Sequence, residues 1–149
     1  MTEILRADDG PPEDALAVRR TVFVDEQGVA EEVEIDGRGD EAIHFVAYDG
    51  DRPVGAARLR AADADHPKAD DAETGKVERV AVVADRRGEG VGERLMASLE
   101  EAAADCDLDS AVLHAQVRVQ GFYEGLGYEQ TSGVFEEAGI DHVEMRKDL

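Results

Sequence analysis

The stretch VERVAVVADRRGEGVGERLM, residues 77–96, sets the apolar run Val80, Ala81, Val82 and Val83 ahead of a turn whose glycines, Gly88, Gly90 and Gly92, fall at alternate positions. Beyond the turn, Val91, Leu95, Leu99 and Ala102 recur at spacings of four, four and three, the period of a helix with one buried stripe. The segment therefore reads as strand, glycine turn, helix. A continuous apolar strand end is expected where both faces of a sheet are covered. A helix N-terminus leaves four amides without intrahelical partners and carries partial positive charge, and glycines ahead of it let an anion reach the backbone. Arg87-Gly88-Glu89-Gly90-Val91-Gly92 could thus cradle a diphosphate, or merely pack a helix against a strand. The spacing matches neither G-x-x-x-x-G-K-[ST] nor G-x-G-x-x-G, which excludes a P-loop and a dinucleotide fingerprint.

Outward from this segment, TEILRA predicts a short first strand, and Glu13 to Val24 a helix begun near Pro12. Asp25 to Asp40 reads as a loop with room for one helical turn. AIHFVAY (42–48) and PVGAARLRA (53–61) pair across the turn DGDRP as a hairpin. Residues 62–75 form a polar loop, 75–83 a strand, SAVLHAQ (110–116) a strand, and VQGFYEGLG (119–127) a short helix closed by glycine. YEQTSGVFEEAG leads to a last strand, HVEMRKDL. The order β-α-β-β-β-α-β-α-β-β predicts one α/β domain, residues 1–149, with a mixed β-sheet flanked by helices. A chain of 149 residues suits one core and not two.

The chain holds 36 acidic and 16 basic residues, a net charge of −20. Such a surface repels nucleic acid and anionic membranes, so neither is expected as a partner. Acid spread along the whole chain reads as adaptation to concentrated salt, where a Debye length of about 3 Å would leave the binding of an anionic cofactor to local contacts. No apolar run is long enough to cross a bilayer, and MTEILRADDG lacks the basic start and apolar middle of a signal peptide, so a cytoplasmic protein is expected. Cys106 is the only cysteine, which excludes an internal disulfide. No metal is expected: the acidic clusters have no fixed ligand spacing, and Asp36 and Asp40 do not sit in D-x-[DN]-x-[DN]-G.

Val80-Ala81-Val82 followed by Arg87-x-x-Gly90-x-Gly92 resembles the acetyl-CoA signature of the GNAT superfamily of N-acetyltransferases. Gln116, then Phe122-Tyr123 and Gly127-Tyr128, is similar to that superfamily's N-x-x-A-x-x-F-Y-x-x-x-G-F block, with Gln116 in place of asparagine and Gly121 in place of a bulkier residue. VFVDEQGVAEEVEIDGRGDEAIHFVA, LHAQ and GIDHVEM resemble the ElaA-like branch. The resemblance implies the GNAT fold and acetyl transfer from acetyl-CoA to a primary amine by direct attack. It implies a diphosphate on the amides of residues 87–92, a pantetheine arm along Val80, Ala81 and Val82, and a contact from Gln116. The Val82 N–H would stabilise the developing oxyanion.

Tyr123 matches the tyrosine that protonates the departing sulfur; its alternative is a core aromatic. Glu78 is the favoured base candidate, because plain strand alternation puts it on the face of Val80; its alternative is an ion pair with Arg79 or another base. His114 is the rival base, imidazole being the side chain type best suited to proton transfer near neutral pH. Glu26 and Gln27 follow the first helix, where such enzymes build the acceptor pocket. Arg58 could meet an anionic substrate group or pair with an acid. His142 and His44 are weaker candidates, and His66 falls in the polar loop. The acceptor would be a small-molecule or peptide amine, and a homodimer is a family expectation. The competing readings are a coenzyme-binding regulatory module without chemistry and a generic α/β interaction protein.

Overall fold

The computed structural model describes residues 2–35, 42–61 and 74–149. Among the described residues eight strands form one mixed sheet in the order β1-β2-β3-β4-β5-β8-β6, with β7 paired to β8. The first four, β1 (Thr2–Ala7), β2 (Ile43–Asp49), β3 (Arg52–Ala61) and β4 (Thr74–Val82), make an antiparallel meander. The β2–β3 turn falls at Gly50-Asp51, inside the sequence-predicted DGDRP. β5 (Ser110–Gln116) then lies parallel to β4, and β8 (Ile140–Asp148) returns antiparallel to β5. Two short strands that the sequence reading did not locate, β6 (Glu129–Gln130) and β7 (Phe135–Glu137), pair with β8. Of the expected loop at 62–75, Thr74 and Gly75 belong to β4, while residues 62–73, with His66, and the acids Asp36 and Asp40 lie outside the described residues.

β3 is buried at every position from Val54 to Arg60, so residues of both parities are covered and the sheet is sandwiched. Helix α1 (Glu13–Arg19) and helix α3 (Val91–Asp105) both pack on β3. α3 buries Val91, Leu95, Met96, Leu99, Ala102 and Ala103, the anticipated stripe widened by two residues. Gly55 on β3 makes its close approach feasible, since a Cβ there would lie 2.8 Å from Leu95 Cδ1 and 3.0 Å from Val91 Cγ1.

Two local features depart from regular geometry. The first helix does not stop at Val24: α1 continues into a π-wound segment, Arg20–Glu26, with Gln27 N–H donating to Val22 O at 3.1 Å. π-turns concentrate at functional sites. A single helical turn, α2 (Glu31–Glu34), follows within the expected loop. The second feature is a bulge in β4. Ala56 pairs with Ala81 and Arg58 with Glu78, so Ala57 faces two residues, Arg79 and Val80. Arg79 takes φ 57°, in the left-handed region.

Candidate active site

Parallel pairing of β4 with β5 runs from Thr74↔Ser110 to Val77↔Leu113 and ends there. Past this point the strands part, and a cleft of about 750 Å³ opens between them. Glu78 on β4 and His114 on β5 are the first residues beyond the fork, and both line the cleft. Its remaining walls come from β4 (Val80, Ala81, Val82), the turn before α3 (Arg87, Gly88, Gly90), the start of α3, helix α4 (Gln120–Gly125) and the π segment.

The glycine turn divides its labour. Gly88 and Gly90 have φ of 79° and 84° with open space where a Cβ would project. Gly90 is the N-cap of α3 and offers no side-chain cap, so the first-turn amides of the helix face outward for a ligand or water. Gly92 serves packing instead: a Cβ there would stand 3.1 Å from Phe122 Cζ on α4. Glu89 projects away, with its side chain 3.7 Å from Arg86. Arg87 donates to Glu26 through both terminal nitrogens at 2.6 and 2.7 Å and, through Nε, to Val82 O at 3.0 Å. Its hydrogen bond to Arg87 holds the Glu26 carboxyl below the usual range. Glu26 thus reaches the site only through Arg87, whereas Gln27 lines the cleft.

Val83 N–H donates to Val54 O on β3 at 3.0 Å. Strand alternation therefore turns the N–H of Val82 away from β3, toward the open side, where Arg87 also finds the Val82 carbonyl. Gln116 spans the cleft, donating to Gln27 Oε1 at 2.8 Å and accepting from Arg118 Nε at 3.0 Å. Tyr123 is buried and also lines the cleft, with its ring edge-on to Phe122 and Tyr128 at 5.0 and 5.9 Å. Burial raises the pKa of its phenol, which stays protonated at neutral pH.

The bulge corrects one premise of the sequence reading. Directly opposed residues share a face, so Glu78 lies with Arg58 and Ala81 with Ala56; Glu78 shares the face of Ala81, and Val80 takes the other. Glu78 Oε1 accepts from Arg58 at 2.9 and 3.1 Å and from Arg60 at 2.7 Å, while Lys76 Nζ lies 3.6 Å from Oε2. Burial pushes the carboxyl pKa up, but the Arg60 hydrogen bond and the charges of Arg58, Arg60 and Lys76 outweigh it and bring the value to about 2. That is a poor proton acceptor at neutral pH. Arg58 is buried beneath Glu78, off the cleft surface, and pairs with the acid. Arg79 pairs with Glu34 at 2.7 Å and donates to Glu34 O at 3.1 and 3.2 Å. Those contacts hold the left-handed bulge residue in place. The buried Glu34 also takes a hydrogen bond from Arg19 Nε at 2.9 Å.

Beside the fork, His114 and His142 converge on Glu137, which the sequence reading missed. His114 Nδ1 is 3.1 Å from Glu137 Oε1, and His142 Nε2 is 3.8 Å from Oε2. The one signal was Gly139 after FEEA, a turn residue just ahead of the last strand pattern. Among the described residues no group of three or more His, Cys, Asp or Glu side chains is placed to hold a metal ion, and no helix is long and apolar enough to cross a membrane.

The acetyltransferase (GNAT) domain family matches residues 7–149. The chain is 40% identical over 149 residues to the uncharacterized N-acetyltransferase YjcF of Bacillus subtilis, covering 99% of this chain and 100% of that one. It is 35% identical to protein ElaA of Escherichia coli over 136 residues, covering 90% of this chain and 85% of that protein. The crystal structure of E. coli ElaA superposes with a TM-score of 0.82 at 28% identity, covering 99% of both chains. A Bacillus subtilis acetyltransferase solved in complex with CoA shares the fold at 15% identity, with a TM-score of 0.72 and coverage of 100% of this chain and 99% of that one. By its sequence match across nearly the whole chain, and by a sheet that forks beside a glycine-rich helix start, the protein belongs to the GNAT acetyltransferase family.

Proposed function

We propose that the protein transfers the acetyl group of acetyl-CoA to a primary amine by direct attack. The observation that carries this reading is the β4–β5 fork, with outward-facing amides at one end and a buried, protonated phenol in its wall. The first-turn amides of α3 with Gly88 and Gly90 bind the diphosphate, and Arg87 exchanges Glu26 for it. The pantetheine amides run along Val80 and Val82, completing the edge that β5 leaves empty. The N–H of Val82 faces the thioester oxygen and stabilises the oxyanion as the amine adds. On collapse the C–S bond breaks and Tyr123 protonates the sulfur. Gln116 and Gln27, joined across the cleft, mark the boundary between the coenzyme and the acceptor. That the CoA-bound relative shares this fold supports the donor assignment.

The test is a screen of primary amines at high salt with thiol release as the readout. For any acceptor found, Tyr123→Phe should lower kcat about 100-fold while leaving acetyl-CoA affinity unchanged, since general acid catalysis contributes roughly 10²–10⁴-fold. Unaltered turnover in the variant would exclude Tyr123 as the acid. Binding of acetyl-CoA with no turnover of any amine would instead favour a regulatory coenzyme-binding module.

A further inference from the structure

The deprotonation that this reaction requires has its own machinery at the fork, and the inference drawn here rests on the acetyl-transfer reading above. Glu137 ends β7 and is followed by Ala138 and Gly139, whose φ of 52° and 75° make the tight turn into β8. A residue with a Cβ in the left-handed region costs about 1–2 kcal/mol. Ala138 carries that strain in the cleft wall, directly beside the carboxylate. Phe135 wedges between the two histidines: it meets His114 edge-on at 5.0 Å and stacks on His142 at 6.1 Å. Both rings are thereby fixed in orientation.

The protons can be assigned from what each partner is able to accept. His142 Nδ1 lies 2.7 Å from Ile140 O, and a carbonyl only accepts, so that nitrogen carries the hydrogen. The Glu137 side chain is 48% exposed, so its carboxyl is ionised at neutral pH without help; the hydrogen bond from His114 and the charges of His114, His142 and Lys76 lower it further against the opposing effect of burial. An ionised carboxylate also only accepts, so His114 donates from Nδ1. In the neutral ring the lone pair is then on Nε2.

We propose that Glu137 is a positioning residue that fixes His114 with its proton on Nδ1, making Nε2 the general base for the acceptor ammonium. One ammonium proton passes to His114 Nε2 and on to solvent. The nitrogen lone pair forms the C–N bond, the C–S bond breaks, and the thiolate takes the Tyr123 proton. The second proton lost by nitrogen restores the phenol. Glu78, bound by two guanidiniums at the same fork, organises the floor and takes no proton.

The tautomer of His114 can be read without an acceptor, from long-range proton–nitrogen correlations of the imidazole in the wild-type protein at a pH where the ring is neutral. The expected result is hydrogen on Nδ1 in the wild type and a shift toward Nε2–H in Glu137→Ala. In kinetics with any amine from the screen, His114→Gln should lower kcat about 100-fold and Glu137→Ala about tenfold, with KM for acetyl-CoA unchanged in both. A wild-type His114 protonated on Nε2, or full kcat in either variant, would overturn the assignment. If acetyl-CoA gives the wild type no thermal stabilisation, the acetyl-transfer reading falls and the base role with it, whatever the tautomer.

Discussion

At the α3 end of the cleft the groups offered to a ligand belong mainly to the main chain, the amides behind Gly88 and Gly90 and the open edge of Val82, with the Arg87 guanidinium beside them. At the fork they are side chains, namely Glu78 between two arginines and His114 against Glu137. The two ends answer substitution differently. A main-chain group survives almost any change of side chain and is lost only when the backbone path changes. A side-chain group is lost with a single substitution, and its partners lose an interaction with it.

The contrast can be broken most forcefully at Glu78. Glu78→Gln removes the carboxylate shared by Arg58 and Arg60, and removing one partner of a buried ion pair costs about 3–5 kcal/mol. Chemical denaturation should show that loss at neutral pH. The same variant sharpens the pH dependence. The folded pKa of Glu78 lies at about 2, below the ordinary glutamate value of 4.5, so the unfolded chain binds its proton more tightly. Its contribution is therefore complete above roughly pH 5 and disappears as pH falls through 4.5 toward 2. The wild type should lose this increment over that interval, and Glu78→Gln should lack it.

At the other end, Gly90→Val should be the damaging change, because φ of 84° places a β-branched residue where it costs about 1–2 kcal/mol. Acetyl-CoA affinity by calorimetry should fall at least tenfold, about 1.4 kcal/mol. An equal loss on Glu89→Ala would show that side chains, not backbone shape, bind the coenzyme there. The smallest effect is expected for Glu26→Gln. It releases Arg87 from an exposed ion pair worth about 0–1 kcal/mol, so acetyl-CoA should bind up to about fivefold more tightly. Weaker binding would mean that Glu26 orients Arg87 for the coenzyme and does not compete with it.

Legibility in the sequence follows the same division. The strand at 110–116, the buried stripe of α3 and the glycine turn were readable because each is written in local periodicity or in residues with special backbone freedom. The bulge was not. Arg79 is an ordinary residue held in the left-handed region by contacts to Glu34, 45 positions away, and no local signal marks it. That one inserted residue reversed the face on which Glu78 had been placed. The pairing of Glu78 with Arg58 depends on strand register, which alternation alone does not supply. Glu137 was hidden because β7 has three residues, too few for a period, and its neighbours read as loop.

The early end of β4–β5 pairing at Val77 and Leu113 has one more consequence. On the acetyl-transfer reading, the gap is a seam that only a ligand with amides of its own can zip shut. A small acyl donor such as acetyl phosphate would gain nothing from it. Donor choice then resides in the polypeptide's shape, which mutation seldom edits, while the rim of side chains around His114 and Glu137 stays free to drift from one acceptor to another.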